Sequence, residues 1–345
     1  MLDFRSDTVT KPTPEMMAAI ARAPLGDDVY GEDPTVLELQ NLGAEMLGKE
    51  AALLVPSGTM GNLISLLVHA PRGTEVIVGD ESHIYHYEQG GASAVGSLVM
   101  HPVPTQTDGS LALSDLGQAI RNRTDDHSAW PGVICLENTH NRRGGVALKP
   151  GYVHTVGELA REENIPLHLD GARLANAAVS SGVSMRDLAT EFDSVQLDLS
   201  KGLGAPVGGL VVGSAKFISQ AKRMRKLLGG GMRQAGVIAA AGIVSLRSMI
   251  DRLEMDHRLA RQLAKGLSGL PGIVCDPSTV ETNLVLFRLE HRGAKDFIAS
   301  LRAEGVLLGE IGNAYLRMVT HYDVDQSSVE QALAIIARVL SRAES

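Results

Sequence analysis

The sequence predicts an α/β protein, with a doubly wound, mostly parallel sheet in a large domain over residues 1–249 and a smaller α+β domain over residues 250–345. Three observations lead there. From Pro14 to Leu246 short apolar runs alternate with helical patterns, the order expected of βαβ units feeding a parallel sheet. After Gly272 the pattern changes to strand, helix, two strands and a final helix. The 345 residues are 44% hydrophobic and 21% charged but only 3% aromatic, a globular balance in which aliphatic side chains must build the core.

The elements follow in order. Ala51 to Val55, Glu75 to Gly79, Gly132 to Leu136, Pro166 to Leu169, Ser194 to Leu199 and Gly209 to Gly213 are largely apolar runs of strand length, as strands buried on both faces require. Between them, Met60 to His69 and Tyr152 to Glu163 repeat apolar residues every three or four positions, the period of a helix laid on a sheet. A long helical pattern starts near Ala235. The C-terminal part reads as strand Thr282 to Leu289, helix Ala294 to Glu304, strands Val306 to Leu308 and Ala314 to Val319, and helix Ser327 to Arg342. No fixed-period repeat, low-complexity tract or long linker separates the two parts, so they are expected to pack closely.

Composition narrows the function. A net charge of −8 argues against a nucleic-acid partner, which would require a basic face. The basic stretch Lys222 to Lys226 is first read as a solvated helix face. Cys135 and Cys275 sit in apolar runs without a CxxC partner and read as buried free thiols in a reducing compartment. The longest uncharged apolar stretch, Gln234 to Leu246, is shorter than the roughly 18 residues of a membrane helix, and the N-terminal segment has no apolar leader pattern. A soluble, cytoplasmic protein without nucleic-acid or membrane partners is expected. The 37 glycines exceed the average share of about 7%, so the backbone must turn sharply or approach something closely at many points.

Four segments carry candidate chemistry, each ending a strand or opening a helix, where ligands of open α/β sheets bind. In DSVQLDLSKGLGAPVGG, Lys201 directly follows a strand and precedes four glycines. It is either a water-facing lysine before a turn or a desolvated amine of lowered pKa, usable as a nucleophile toward a carbonyl. In PLHLDGAR, Asp170 ends a strand; a carboxylate there can keep a heteroaromatic ring nitrogen protonated, as a pyridoxal phosphate site requires, or can cap the following helix. Arg173 can grip a carboxylate bidentately or form a surface ion pair. In VPSGTMGNLISLL, Ser57, Gly58 and Thr59 open a helix whose free N–H groups suit a single small phosphate, unless they are a plain helix cap; neither the GK[ST] nor the GxGxxG spacing is present. In VGDESHIYHYEQGGAS, His83, Tyr85, His86 and Tyr87 cluster, and one ring can stack on a planar ligand. No third ligand at metal-site spacing accompanies the two histidines, so no metal is expected.

Taken together and in this order, the segments resemble the L-threonine aldolase family, low-specificity enzymes acting on L-threonine and L-allo-threonine, with the aspartate-aminotransferase-like fold (fold type I of the pyridoxal-phosphate enzymes). The resemblance spans nearly the whole chain, through LDFRSDTVTKPTPEM, GDDVYGEDPTV, SGTMGN, LENTHN, HLDGARL, LSKGLGAPVG, GGGMRQAG and LRMVTH. It implies pyridoxal 5′-phosphate as cofactor, with Lys201 bound covalently to it, Asp170 on the pyridine nitrogen and His83 stacked on the ring. Gly58, Thr59 and Asn62 are implied at the phosphate. Ser6, Arg173 and Arg317 are implied at the substrate carboxylate, Tyr87 at the substrate, and His127 near its hydroxyl. Tyr30, Lys226 and Arg233 are implied to reach a neighbouring subunit's site, Arg233 toward its cofactor, in a homo-oligomer with a dimer as minimal unit and a tetramer as the expected assembly.

The activity so implied is reversible retro-aldol cleavage of L-threonine or L-allo-threonine to glycine and acetaldehyde, extending to other L-β-hydroxy-α-amino acids. His83 or His127 is the candidate base for the β-hydroxyl, because imidazole titrates near neutral pH. A phenylserine-type aldolase or a β-eliminating lyase of the same fold is the alternative. A non-catalytic binding module and a nucleotide-dependent oxidoreductase are the readings from other classes; the set Lys201, Asp170, His83 and Arg317 stands against the first and the missing GxGxxG against the second.

Overall fold

The chain begins with a short strand, β1 (Leu2–Asp3), and then builds a seven-stranded sheet: β2 (Ala51–Val55), β3 (Glu75–Gly79), β4 (Val99–Val103), β5 (Pro131–Glu137), β6 (Leu167–Gly171), β7 (Ser194–Asp198) and β8 (Gly209–Gly213). The structure is a computed structural model that describes residues 1–290, 293–312 and 314–342. Strand order is β2-β8-β7-β6-β5-β3-β4. Every pairing is parallel except those of β8, which runs antiparallel to both β2 and β7. Strands β3 and β5 to β8 are buried at every position. Alternate residues feed opposite faces: Leu54, Leu210 and Val212 join the large core, while Leu53, Val55 and Val211 pack with Ile64 and Phe217 on the other side.

The strand the sequence reading lacked is β4, at the sheet's open edge. Its VMHPV sequence is mostly not buried, so it shows no apolar run, and Pro102 is tolerated because an edge strand needs fewer ladder donors.

The second sheet comprises β9 (Ile273–Val274), β10 (Leu284–Leu289), β12 (Gly309–Glu310) and β13 (Leu316–Val319), antiparallel in the order β12-β13-β10-β9, with β11 (Val306–Leu307) pairing instead with β1. The expected strand Val306 to Leu308 thus shortens to Val306–Leu307, with β12 starting separately in the other sheet, and the expected Ala314 to Val319 shortens at its start. The helix Leu253–Ser268 bridges the cores: Leu253 lies in the large one and Leu259, Leu263 and Leu267 in the small one. Residues 291, 292, 313 and 343–345, within the expected second domain, lie outside the described residues. Cys135 is buried in β5 and free; Cys275 is free but only partly buried, just past β9.

The N-terminal segment departs most from expectation. Its first residues, Leu2 and Phe4, join the small core, and the chain reaches the large one only further on, with Met16 buried there. Phe4 is fully buried in the small core with Phe287, Phe297 and Met318, its N–H donates to Leu307 O at 2.8 Å and its carbonyl accepts from Val319 N at 2.8 Å. An aromatic side chain so enclosed is worth about 3–5 kcal/mol against alanine. Phe4→Ala is therefore expected to lower stability by about that amount in urea unfolding; a loss below about 1 kcal/mol would show that the N-terminal strand is not integral to the small core.

Candidate active site

Because β2 and β7 both oppose β8, they are parallel to one another, and β2, β3, β5, β6 and β7 all point the same way. Their carboxyl ends therefore share one edge. Ser57 to Thr59 follow β2, His83 follows β3, Glu137 ends β5, Asp170 lies near the end of β6, Asp198 ends β7 and Lys201 comes three residues later. This is the edge where open α/β sheets hold ligands.

At one end of the site Asp170 is almost fully buried. Its Oδ1 accepts from Ala172 N at 3.1 Å and its Oδ2 from Asn62 Nδ2 at 3.0 Å. Burial, then the nearby Glu137 carboxylate and that of Glu88, push its pKa up to about 7, against the opposing pull of His83 and Lys201. Asn62 also donates to Glu88 Oε1 at 2.8 Å and accepts from His168 Nε2 at 3.1 Å. Burial depresses His168 to about 3 and His69 to about 4, so both rings are neutral. That fixes the polarity of a buried chain: His69 Nε2–H donates to Ser194 Oγ at 2.8 Å, Ser194 Oγ–H to His168 Nδ1 at 2.8 Å, and His168 to Asn62. Asn62 is therefore not free for a phosphate, as the resemblance implied. It sits one turn into its helix, on the buried face, and both ends of its amide are taken.

His83 is held at three points. Its N–H donates to Glu137 Oε2 at 2.6 Å, its Nδ1 to Glu88 Oε1 at 2.9 Å, and its ring lies 5.4 Å from that of Tyr87. Burial disfavours the imidazolium, but the Glu88 hydrogen bond and the carboxylates of Asp170 and Glu137 outweigh it and raise the pKa. The other oxygen of Glu137 accepts from Asn141 N at 2.8 Å, so one carboxylate positions two loops. His83, Glu88 and Asp170 each bring a ligand atom within 4.8 Å of the others. The N–H groups of His83 and Asn62 already point at these carboxylates, which makes the cluster a hydrogen-bonded one.

Lys201 has 16% of its side chain exposed and forms an ion pair with Asp198. Its carbonyl is anchored by Thr10 Oγ1 and Gly204 N, both at 2.9 Å. The loop returns to β8 through Gly208, at φ +98°, where a side chain would be strained and would press on Val55 O. Opposite, Ser57 Oγ accepts from Met60 N at 3.2 Å and caps the helix Gly58–His69. The N–H groups of Gly58 and Thr59 in its first turn have no acceptor within the helix and suit an anion.

The far side of the site is built from arginines. Arg173 donates through Nε and Nη2 to both oxygens of Asp7, each at 2.7 Å. Arg173 Nη1 and Arg317 Nη1 converge on Asn141 Oδ1, at 3.3 and 2.8 Å. Asp7 also accepts from Asn283 Nδ2 at 3.1 Å; although burial opposes its charge, Arg173 and Lys201 hold its carboxyl far below the usual range. Burial, then the neighbouring Arg173, lowers Arg317 to about 10. A buried and a half-buried guanidinium aimed at one neutral oxygen make a place for a carboxylate. Arg317 presents it more fully than Arg173, two of whose nitrogens belong to Asp7. Ser6 stands beside them, its Oγ accepting from Thr8 N at 3.3 Å, and Tyr87 OH accepts from Arg142 Nη1 at 2.7 Å.

Four expected residues are not brought to this cluster. His127 lies on the loop before β5, with 95% of its side chain exposed and its ring against Asp125. Tyr30, Lys226 and Arg233 lie on an exposed face, where Arg233 pairs with Asp27 at 2.9 Å. Within the basic stretch Arg225 is buried, bonded to Leu54 O and Asp28 Oδ2 at 2.6 Å each, so the stretch is not simply a solvated face. Sequence reasoning missed Asp7, Glu88, Glu137, Asn141 and Asp198. Glu137 and Asp198 carry the signal that revealed Asp170, an acid at a strand's carboxyl end; Glu88 closes the aromatic cluster, and Asp7 follows Ser6.

The set fits pyridoxal phosphate. A buried carboxylate of raised pKa seeks a cationic partner, an imidazole and a lysine amine border the same space, helix N–H groups offer a phosphate seat, and two guanidiniums await a carboxylate. The family model described as beta-eliminating lyase matches residues 3–290. Low-specificity L-threonine aldolase 1 of Arabidopsis thaliana is 44% identical over 345 residues, covering 98% of this chain and 96% of the relative. Low specificity L-threonine aldolase of Escherichia coli K12 is 42% identical over 342 residues, covering 99% and 100%. The solved threonine aldolase of Leishmania major superposes with a TM-score of 0.83 at 22% identity, over 99% of this chain and all of that one, which places the fold in the expected aspartate-aminotransferase-like class. The chain belongs to the beta-eliminating lyase family and, within it, to the low-specificity L-threonine aldolases.

Proposed function

We propose that this protein is a pyridoxal-phosphate enzyme that reversibly cleaves L-threonine and L-allo-threonine to glycine and acetaldehyde, and accepts other L-β-hydroxy-α-amino acids. The observation that carries the reading is Asp170, a carboxylate buried at a strand end and in electrostatic reach of both Lys201 and His83. Lys201 would hold the cofactor covalently, Asp170 its ring nitrogen, His83 its face, and Gly58 and Thr59 its phosphate. The cofactor supplies an electron sink for the pair released at Cα when Cα–Cβ breaks.

The chain's own groups do the rest. Arg317, with Nη1 of Arg173, fixes the substrate carboxylate, and this orients the bond to be broken. His83 has Nδ1 committed to Glu88, which leaves Nε2 to take the proton of the β-hydroxyl. Lys201, once displaced by the substrate amine, is a free amine able to carry a proton back to Cα. The names of the relatives favour this cleavage over β-elimination.

We further infer that a second copy covers the face bearing Tyr30, Lys226 and Arg233, with a dimer as minimal unit and a tetramer as the full, cytoplasmic assembly. Large apolar side chains support it, Tyr30 being 74% and Leu227 72% exposed. Among the described residues no helix is long and apolar enough to cross a membrane.

Incubation with L-threonine is expected to release acetaldehyde and glycine in equal amounts, and Lys201→Ala to abolish both the release and the protein's visible absorbance. Ammonia without aldehyde would overturn the proposal in favour of elimination.

Asp170 also gives a pH test. Its folded pKa is raised above the unfolded value of about 4, so in the cofactor-free protein its contribution to stability is complete below that value and is lost as pH rises toward 7. Asp170→Asn should remove this decline and raise the melting temperature of the cofactor-free protein at pH 8, while cutting turnover at least a hundredfold. A variant melting lower than the parent at pH 8 would contradict this.

Light scattering should report a tetramer. Leu227→Asp should give smaller, less active species, whereas a monomeric, active parent would refute the subunit reading.

A further inference from the structure

Asp198 is a buried carboxylate that the chemistry above does not use. It ends β7, with 6% of its side chain exposed. Three neighbours define its place. Lys201 Nζ forms an ion pair with it, and Gln196 Nε2 donates to its Oδ1 at 3.0 Å. The first turn of the helix Gly58–His69 lies against it so closely that a Cβ at Gly58 would fall 2.5 Å from Oδ1 and 2.9 Å from Oδ2. Only glycine at position 58 leaves this carboxylate room. Asp198 therefore stands between the amine that would hold the cofactor and the helix N–H groups that would hold its phosphate.

Those two neighbours have opposite consequences. An ammonium at Lys201 neutralises Asp198, whereas a phosphate on the Gly58 and Thr59 N–H groups would face it as a second buried anion. Like charges in a site of low dielectric repel far more strongly than in water. With Lys201 given over to the cofactor, Asp198 would keep Gln196 as donor but would no longer face a free ammonium.

We propose that Asp198 sets the strength of cofactor binding by opposing the phosphate, so that this protein holds pyridoxal phosphate less tightly than its phosphate seat alone would allow. The proposal rests on the cofactor reading above and is specific in sign and in ligand. It concerns the phosphate arm only, so pyridoxal, which has the same aldehyde and ring without the phosphate, is the control. Any effect that Asp198 exerts through Lys201 reaches both ligands equally and cancels in their ratio.

The test uses the full chain freed of cofactor, with pyridoxal phosphate and pyridoxal titrated separately, inorganic phosphate added as competitor, and binding followed by the change in aldehyde absorbance. Asp198→Asn keeps the side-chain shape and an acceptor for Gln196; Asp198→Ser removes the charge in a second way should the first variant fold poorly. Both variants are expected to bind pyridoxal phosphate at least tenfold tighter than the parent, with pyridoxal changed less than threefold and inorganic phosphate a stronger competitor. Unchanged or weaker binding of pyridoxal phosphate would overturn the proposal. An equal gain for pyridoxal would do so too, because the effect would then run through Lys201. If the parent and both variants take up neither aldehyde, the cofactor reading itself falls, and that outcome differs from a parent that binds the cofactor with variants that show no gain.

Discussion

The site depends on the double hydrogen bond between Arg173 and Asp7. Both groups are buried, and the guanidinium fork meets both carboxylate oxygens. Removing either partner would strand a charge away from water, at a cost of about 3–5 kcal/mol. Asp7 follows the N-terminal strand, which pairs with β11 beside the small core, and Arg173 follows β6 of the large sheet. Asn283, just before β10, donates to the same carboxylate. The pair therefore fixes how the arginine of β13 is presented to the lysine after β7, across elements that no single secondary structure connects. A lysine at position 173 would keep the charge but lose the planar fork that sets this alignment.

Against that well-paired contact stands a group that is deliberately ill at ease. Glu137 and Asp170 are register partners on adjacent parallel strands, and Glu88 lies close enough to raise the pKa of Asp170 further. Such crowding of buried carboxylates stabilises nothing by itself. Donors arranged around it make it tolerable: the two amide hydrogens of Asn62, the backbone N–H groups of His83, Asn141 and Ala172, and the neutral histidine and serine chain behind Asn62. Natural proteins accept local conflict of this kind where a ligand will resolve it. A protonated ring nitrogen is the partner that such an edge lacks.

The fold was legible because strands buried on both faces are rich in apolar residues, as continuous runs or, in β6 and β7, alternating with polar ones, and six of the seven in the large sheet have such a form. β4 was not, because an edge strand with one side to solvent has no such run. The placement of the N-terminal segment was also hidden, since two residues pairing with a strand near the far end of the chain leave no periodicity to read. In the site, the residues that announce themselves are those whose chemistry is rare at their position, Lys201 after a strand and Asp170 ending one. Asn62 differs from expectation for a physical reason: sequence proximity to SGT suggests the phosphate, while the helical turn carries its side chain to Glu88, Asp170 and His168. Glu88, Glu137 and Asp7 act by orienting other side chains, and a sequence shows which residues are near in the chain but not which groups they hold.

The pairing of β1 with β11 also bears on the order in which the protein can be made. Leu2 opposes Val306, so β1, once made, waits for all the residues between them before its partner exists, roughly 15 to 60 s at about 5–20 residues per second. Throughout that interval Phe4 has no complete core to enter, and until Asn283 is made Asp7 lacks the contact that helps seat it against Arg173. The large sheet, whose strands all lie within residues 51–213, is free to form first. The arginine side of the site can close only once the small domain is complete, so a chain stopped short of Val306 can hold a finished sheet and still have no place to bind an amino acid.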